Sequence, residues 1–69
     1  MSQEGRKLIA EKVKFYREKI GYSREQLSLL IDYDPSYISK VERQAVNIPI
    51  DILEKIAQAL NISIKDFFI

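Results

Sequence analysis

Residues 23–43 of the chain read SREQLSLLIDYDPSYISKVER, and this stretch decides the fold because it contains two helix starts with one short break between them. Ser23 is a favourable N-cap, and Gln26 three residues later completes a capping box. Asp34 and Pro35 form the second start, since aspartate is a strong N-cap and proline suits the first helical position. The stretch therefore predicts two consecutive helices joined by a turn of about three residues, which is the connection of a helix-turn-helix.

Each of these two helices has an apolar side that can face a core. In the earlier helix, Leu27, Leu30 and Ile31 lie at positions i, i+3 and i+4. In the later helix, Ile38 and Val41 form a narrow apolar stripe, and a helix this polar is stable only when it packs against a neighbour. Because a short turn fixes the angle between the helices, one can cross a DNA backbone while the next enters the major groove. This arrangement predicts a DNA-binding domain.

Apolar spacing on either side of this stretch predicts three more helices. Before it, apolar residues recur every three or four positions until Gly21 ends the pattern, and they are Ile9, Val13, Tyr16 and Ile20. After it, Pro49 opens a helix that Asn61 ends, and its buried face consists of Leu53, Ile56, Ala57 and Leu60. Ser63 and Asp66 then have the spacing of a capping pair for a short terminal helix.

The predicted fold is all-α, because no segment alternates clearly between apolar and polar residues. We expect a single domain over residues 1–69, with a modest core. Its five helices are expected at about 6–20, 24–31, 35–43, 50–60 and 64–68.

The composition argues against several classes of function. The chain has no cysteine and no histidine, so it lacks thiolate ligands, the commonest metal ligand and the commonest general base. Its acidic residues are spread along helical faces and caps without a converging pair, and no glycine-rich phosphate loop is present. We therefore expect no catalytic residues, no metal, no cofactor and no small-molecule ligand. No apolar run is long enough to span a bilayer, which predicts a cytoplasmic protein with no membrane partner.

Residues 9–68 resemble the helix-turn-helix domain of the lambda repressor and Cro superfamily, also called the xenobiotic-response-element family. Five stretches match in order, and they are VKFYR (13–17), GYSREQL (21–27), YISKVER (37–43), LEKIAQALNIS (53–63) and DFF (66–68). The third stretch is most similar to the small controller proteins of restriction-modification systems and to phage-type repressors. The resemblance implies a compact five-helix, lambda-repressor-like domain, associated with the nucleoid of a prokaryote or encoded by a phage.

The resemblance also implies roles for individual residues. The residues expected to contact base edges are Ser36, Tyr37, Ser39 and Lys40. Those expected to contact phosphates are Arg24, Arg43, Gln44 and Asn47. Arg17 and Glu42 correspond to an ion pair with a structural role, between the first and third helices. Asp34 is expected only to cap, because its charge would repel phosphate.

Two positions in the helix-turn-helix depart from the family pattern. Asp32 stands in the turn where glycine is usual, and Ser28 stands where the family has a small alanine. Aspartate adopts positive φ at moderate cost, and serine is close to alanine in size, so we expect the turn to be preserved.

The C-terminal segment contains more large apolar residues than a short helix can bury, namely Ile62, Ile64, Phe67, Phe68 and Ile69. The surplus suggests a symmetric dimer through the fourth and fifth helices, where the resemblance also implies dimerisation. We expect the interface to include Ile50, Ile64, Phe68 and Ile69. Two recognition helices would then lie about 34 Å apart, one turn of DNA, and would read a near-palindrome.

These observations predict sequence-specific binding of double-stranded DNA by a homodimer that acts as a transcriptional repressor or activator-repressor. The alternative is a protein–protein interaction module that kept the fold and lost DNA binding. The net charge of only +1 favours this alternative, as do Leu29 and Leu30, which stand where the family commonly has polar residues.

Overall fold

Four α-helices and one 3-10 helix make up the fold in the computed structural model, which describes residues 1–69. The helices are α1 (Gln3–Ile20), α2 (Arg24–Leu30), α3 (Tyr37–Glu42), α4 (Ile50–Ala59) and a terminal 3-10 helix (Ile64–Phe67). The prediction of an all-α chain is confirmed, because no residue lies in a strand. None of the helices combines the length and the apolar character needed to cross a bilayer.

The prediction of a fifth α-helix is wrong. The amides of Asp66 and Phe68 donate to the carbonyls of Ser63 and Lys65, three residues earlier, at 2.9 and 3.0 Å. Such i→i+3 bonds define a 3-10 helix, which is the form that short terminal pieces commonly take. Four α-helices are therefore followed by a single tight turn.

Local chemistry sets the helix ends. Gly21 ends α1 with φ of 99°. The capping box of α2 is present, since the Ser23 hydroxyl accepts from the Gln26 amide at 3.0 Å and the Gln26 side chain accepts from the Ser23 amide at 2.7 Å. Asn61 follows α4 with φ of 57°, and Asp32 adopts φ of 62° in the turn between α2 and α3. The turn therefore forms without the glycine that usually occupies it.

The helix α3 packs against both α1 and α2, so two neighbours fix its position. Its inward residues Ile38 and Val41 join a core of buried apolar side chains, whose other members are Ile9, Val13, Leu27, Ile31, Ile48, Ile52, Leu53, Ile56, Ala57, Leu60 and Phe67. Phe67 is fully buried, so the terminal 3-10 helix closes the core next to α1 and α4.

Two residues predicted to face the core do not. Leu30 is 53% exposed, because the inward side of α2 is formed by Leu27, Ser28 and Ile31. Two helical positions separate Ser28 from Leu30, which is about 200° of rotation, so an inward Ser28 places Leu30 outside. Ile20 is also exposed, since it is the last residue of α1 and the buried position one turn earlier belongs to Arg17.

The helix α3 is shorter than the predicted range of 35–43. The Tyr37 amide donates to the Asp34 carbonyl at 3.1 Å, so a separate turn containing Pro35 precedes the helix. The Ser36 amide donates to the Asp34 carboxylate at 2.9 Å. Asp34 therefore caps this turn, and Ser36 occupies the N-cap position of α3 itself.

Candidate nucleic-acid interface

The outer side of α3 is polar and accessible. Ile38 and Val41 anchor the helix from behind, at 0% and 2% exposure. The four residues expected to contact bases lie on the remaining sides: Ser36 is exposed, and Tyr37, Ser39 and Lys40 are half-buried. The polar side of α3 is therefore not packed into the core of the protein. This side can meet base edges in a major groove, which is wide enough for one α-helix.

Ser28 joins the two helices of the helix-turn-helix. Its hydroxyl donates to the Arg24 carbonyl within α2 at 2.8 Å and accepts from the Ile38 amide of α3 at 2.9 Å. The residue is fully buried. From the sequence, Ser28 is expected only to match alanine in size, and this link is not predicted. The signal was the departure itself, because a buried hydroxyl requires a hydrogen-bond partner.

We expect replacement of Ser28 by alanine to destabilise the fold by about 1–3 kcal/mol, since the buried Ile38 amide loses its partner. Urea unfolding of the variant measures this loss. Ser39→Ala is the matched control, because the Ser39 side chain makes no hydrogen bond within the chain and lies on the outer part of α3. Its expected change is within about 0.5 kcal/mol. Equal effects of the two substitutions would contradict a role for the Ser28 link.

A buried ion pair fixes α1 against α3. Arg17 Nε donates to one carboxylate oxygen of Glu42 at 2.7 Å, and Arg17 Nη2 donates to the other at 3.2 Å. Arg17 Nη1 donates to the Tyr22 carbonyl at 2.8 Å. Both charged side chains are less than a tenth exposed. Arg17 and Glu42 therefore hold α3 in place and do not belong to its outer surface.

Two tyrosine rings pack together at the start of α3. The ring centroids of Tyr33 and Tyr37 are 4.2 Å apart, with the planes tilted by 43°. Desolvation raises the pKa of the Tyr37 phenol, and the neighbouring Tyr33 raises it further. Tyr37 therefore keeps its hydroxyl proton at neutral pH and remains a hydrogen-bond donor.

The residues expected to contact phosphates lie at both ends of the helix-turn-helix. Arg24 is exposed in the first turn of α2, and Arg43 is exposed directly after α3. Gln44 turns the chain with φ of 63°, and it is half-buried. Two exposed arginines, one preceding and one following the reading side chains, are suited to position a helix on a DNA backbone.

Asn47 has a partner that the sequence did not indicate. Arg6 Nη1 of α1 donates to Asn47 Oδ1 at 2.8 Å, across 41 residues of sequence. The contact places another positive charge beside the loop after α3. No local pattern predicts this contact, because the two residues meet only once the whole chain has folded.

The residues expected in a dimer interface differ in exposure. Ile50, Phe68 and Ile69 are 62%, 52% and 78% exposed. Ile64 is half-buried and packs against the core of its own chain. Three large apolar side chains near the start of α4 and at the C-terminus are thus available to another molecule.

Leu29 and Leu30 form a second exposed apolar area at the end of α2. Both side chains are more than half exposed. Together with Tyr22 and Gln26 they line a shallow groove on the surface.

No group of histidine, cysteine, aspartate and glutamate side chains converges to hold a metal ion.

The comparisons with known proteins agree with this geometry. A helix-turn-helix family model matches residues 13–67. The control protein C.BamHI of Bacillus amyloliquefaciens is 37% identical over 67 residues, which cover 96% of this chain and 83% of that protein. A hypothetical transcription factor of Neisseria meningitidis is 34% identical over 61 residues, which cover 88% of this chain but only 58% of the factor. The crystal structure of the restriction-modification controller protein C.AhdI from Aeromonas hydrophila superposes with a TM-score of 0.88 and 29% identity, covering 96% of each chain.

Proposed function

This chain belongs to the helix-turn-helix family of DNA-binding transcriptional regulators, and from that premise we propose that it is a sequence-specific repressor or activator-repressor. The observation that supports this proposal best is the arrangement of α3. Its apolar side is anchored by Ile38 and Val41, whereas its polar side is exposed at Ser36 and half-buried at Tyr37, Ser39 and Lys40. The curated relatives carry the names of control proteins and transcriptional regulators rather than of enzymes.

In this proposal, different residues contact the DNA bases and the DNA phosphates. The half-buried Lys40 donates to guanine O6 or N7 in the major groove. Arg24 and Arg43 pair with phosphates on either side, which fixes the register of α3 without reading sequence. The remaining proposed base contacts are Ser36, Tyr37 and Ser39, and the remaining phosphate contacts are Gln44 and Asn47.

Lys40→Ala and Arg24→Ala are expected to affect DNA binding in different ways. Loss of Lys40 weakens binding to the preferred site by about 1–3 kcal/mol and relaxes the base preference at one position. Loss of Arg24 weakens binding to all sequences alike and lowers the slope of log K against log salt by about one. Titrations of preferred and scrambled duplexes at several salt concentrations measure both effects.

The matched control for these titrations is Lys19→Ala, which removes one exposed lysine from α1. Lys19 is about 200° around the helix from Arg17, the residue that contacts α3, and it lies beside Leu60 and Ile62 instead. This substitution should change neither the base preference nor the salt slope by a comparable amount. Unchanged affinity and selectivity in both the Lys40 and the Arg24 variant would overturn the assignment of this surface.

We propose a homodimer as the active form, held through the C-terminal half by Ile50, Ile64, Phe68 and Ile69. Its support is the exposure of Ile50, Phe68 and Ile69 in a chain this short. A twofold axis there would present two copies of α3 to half-sites about 34 Å apart on a near-palindromic operator. Such a regulator would act in the cytoplasm, on the nucleoid of a prokaryote or on a phage genome.

The second candidate function is a protein–protein interaction module without DNA binding. The observation that favours it is the exposed pair Leu29 and Leu30, with the groove that they share with Tyr22. Selection of bound duplexes from a random pool separates the two candidates. Enrichment of a defined sequence at moderate salt supports the regulator, and the absence of any enriched sequence supports the interaction module.

A further inference from the structure

In the turn before α3, both hydrogen-bond donors of Ser36 bind the same carboxylate oxygen of Asp34. The Ser36 amide donates to Asp34 Oδ1 at 2.9 Å, and the Ser36 hydroxyl donates to the same oxygen. A serine hydroxyl has only one proton to donate, so its free capacity is the lone pairs of its oxygen. The exposed Ser36 hydroxyl oxygen can therefore accept a hydrogen bond from a ligand, but it cannot donate one.

Asp34 adds a second acceptor beside it. The residue is exposed, and its other carboxylate oxygen, Oδ2, has no hydrogen-bond partner within the chain. The hydrogen bonds from the Ser36 hydroxyl and amide lower the pKa of the Asp34 carboxyl, so the group is ionised at neutral pH. An ionised carboxylate accepts hydrogen bonds and donates none. The start of the recognition helix consequently offers acceptors only.

Only two base edges in the major groove supply a matching donor, namely the amino groups of cytosine N4 and adenine N6. Adenine presents its N7 acceptor beside N6, which would repel the carboxylate, whereas cytosine presents the amino donor alone. We propose that Asp34 and Ser36 together read the amino group of a cytosine at the start of α3. This proposal rests on the function proposed above and assigns to Asp34 a role beyond capping the turn.

The negative charge of Asp34 needs compensation near a phosphate backbone. The Lys40 ammonium offsets part of this charge, since it lowers the pKa of Asp34, although less than the hydrogen bonds from Ser36 do. Lys40 also lies four residues after Ser36, so the two occupy the same side of the helix. The outer side of α3 thus has hydrogen-bond acceptors at its start, from Asp34 and Ser36, and a donor one turn later, from Lys40.

The spacing of these two ends limits the sequence that they can read. Four residues of α-helix advance about 6 Å. Stacked base pairs are about 3.4 Å apart, so the two ends can meet different base pairs of one half-site. Each half-site should therefore contain a cytosine read by Asp34 and Ser36 and, at a separate position nearby, a guanine read by Lys40.

Selection of bound duplexes from a random pool, performed with the native chain and with Asp34→Asn, tests the proposal. Asparagine keeps an acceptor oxygen for Ser36 and so preserves the turn, but it adds an amide donor. The native chain should enrich a cytosine at the position that the substitution affects. Asp34→Asn should reduce the preference for that cytosine by about 5- to 150-fold and leave the rest of the site unchanged.

The control is Lys40→Ala, which should lose the nearby guanine and retain the cytosine. Thermal unfolding of each variant shows whether it is folded at the temperature of the selection. Enrichment of adenine, guanine or thymine at the affected position would overturn the cytosine proposal alone, as would an unchanged cytosine preference in Asp34→Asn. The absence of any enriched sequence for the native chain would instead overturn the proposed function, and the cytosine proposal with it.

Discussion

Replacing Glu42 by alanine is expected to reduce the free energy of unfolding by about 3–5 kcal/mol, because the substitution leaves the Arg17 guanidinium buried without its carboxylate. Arg17 is only 7% exposed, and two of its nitrogens donate to Glu42 at 2.7 and 3.2 Å. A domain of this size has only a few kcal/mol of stability in total, so the loss should lower the helical signal before urea is added, and the remaining transition should be shifted to lower urea or absent. Circular dichroism during urea titration measures the loss.

The control for this prediction removes both charges at once. Arg17→Met combined with Glu42→Leu keeps apolar volume at both positions and buries no charge, so it should recover most of the lost stability. Glu18→Ala is a second control, since Glu18 lies 3.9 Å from Arg17 but is 58% exposed. Its effect should stay below about 1 kcal/mol. A Glu42→Ala variant as stable as Glu18→Ala would contradict the structural role of the buried pair.

The sequence predicts the helix order because the helix ends are local events. The Ser23 capping box and the left-handed Gly21 each depend on residues within a few positions of one another, so their chemistry is readable from spacing. The apolar face of α4 is equally readable, since Leu53, Ile56, Ala57 and Leu60 are all buried as predicted. The family stretches then supply the direction in which α3 faces.

The errors arise where packing between helices decides the outcome. Leu30 has helical spacing from Leu27, yet the hydroxyl of Ser28 reaches the Ile38 amide and turns Leu30 toward solvent. The terminal segment has a capping pair, but it is too short for an α-helix and closes as a 3-10 turn.

The candidate site could be predicted only as a list of residues, without their exposure or contacts. Its geometry depends on contacts between residues that lie far apart in the sequence, of which the Arg6–Asn47 hydrogen bond is the clearest example. The base-reading role proposed for Asp34 is equally hard to see in the sequence, because a cap and a base-reading acceptor require the same residue type. Only the hydrogen bonds of Ser36 show that the turn leaves one carboxylate oxygen free.

Replacing Phe68 by aspartate is expected to convert the proposed dimer into a monomer and to reduce affinity for a two-half-site operator by about 100- to 10,000-fold. Phe68 is 52% exposed and is not part of the buried core, so the substitution leaves that core intact. It removes the apolar surface against which the second copy of the chain is proposed to pack. Linking two half-site contacts raises their combined affinity by a factor of this size, which a monomer loses. Sedimentation equilibrium at micromolar concentration measures the mass, and titration of full and half operators measures the affinities.

Leu29→Asp is the matched control, because Leu29 is 54% exposed and the substitution introduces the same charge on α2 instead of near the C-terminus. It should leave the mass of the dimer unchanged, whereas Phe68→Asp should lower it while affinity for an isolated half-site stays the same. Dissociation by Leu29→Asp alone would move the interface to the groove at the end of α2. A native chain that stays monomeric at tens of micromolar, with and without operator, would rule out the dimer altogether. Retention of the half-site affinity is the decisive comparison, because it separates a lost partner from a damaged recognition helix.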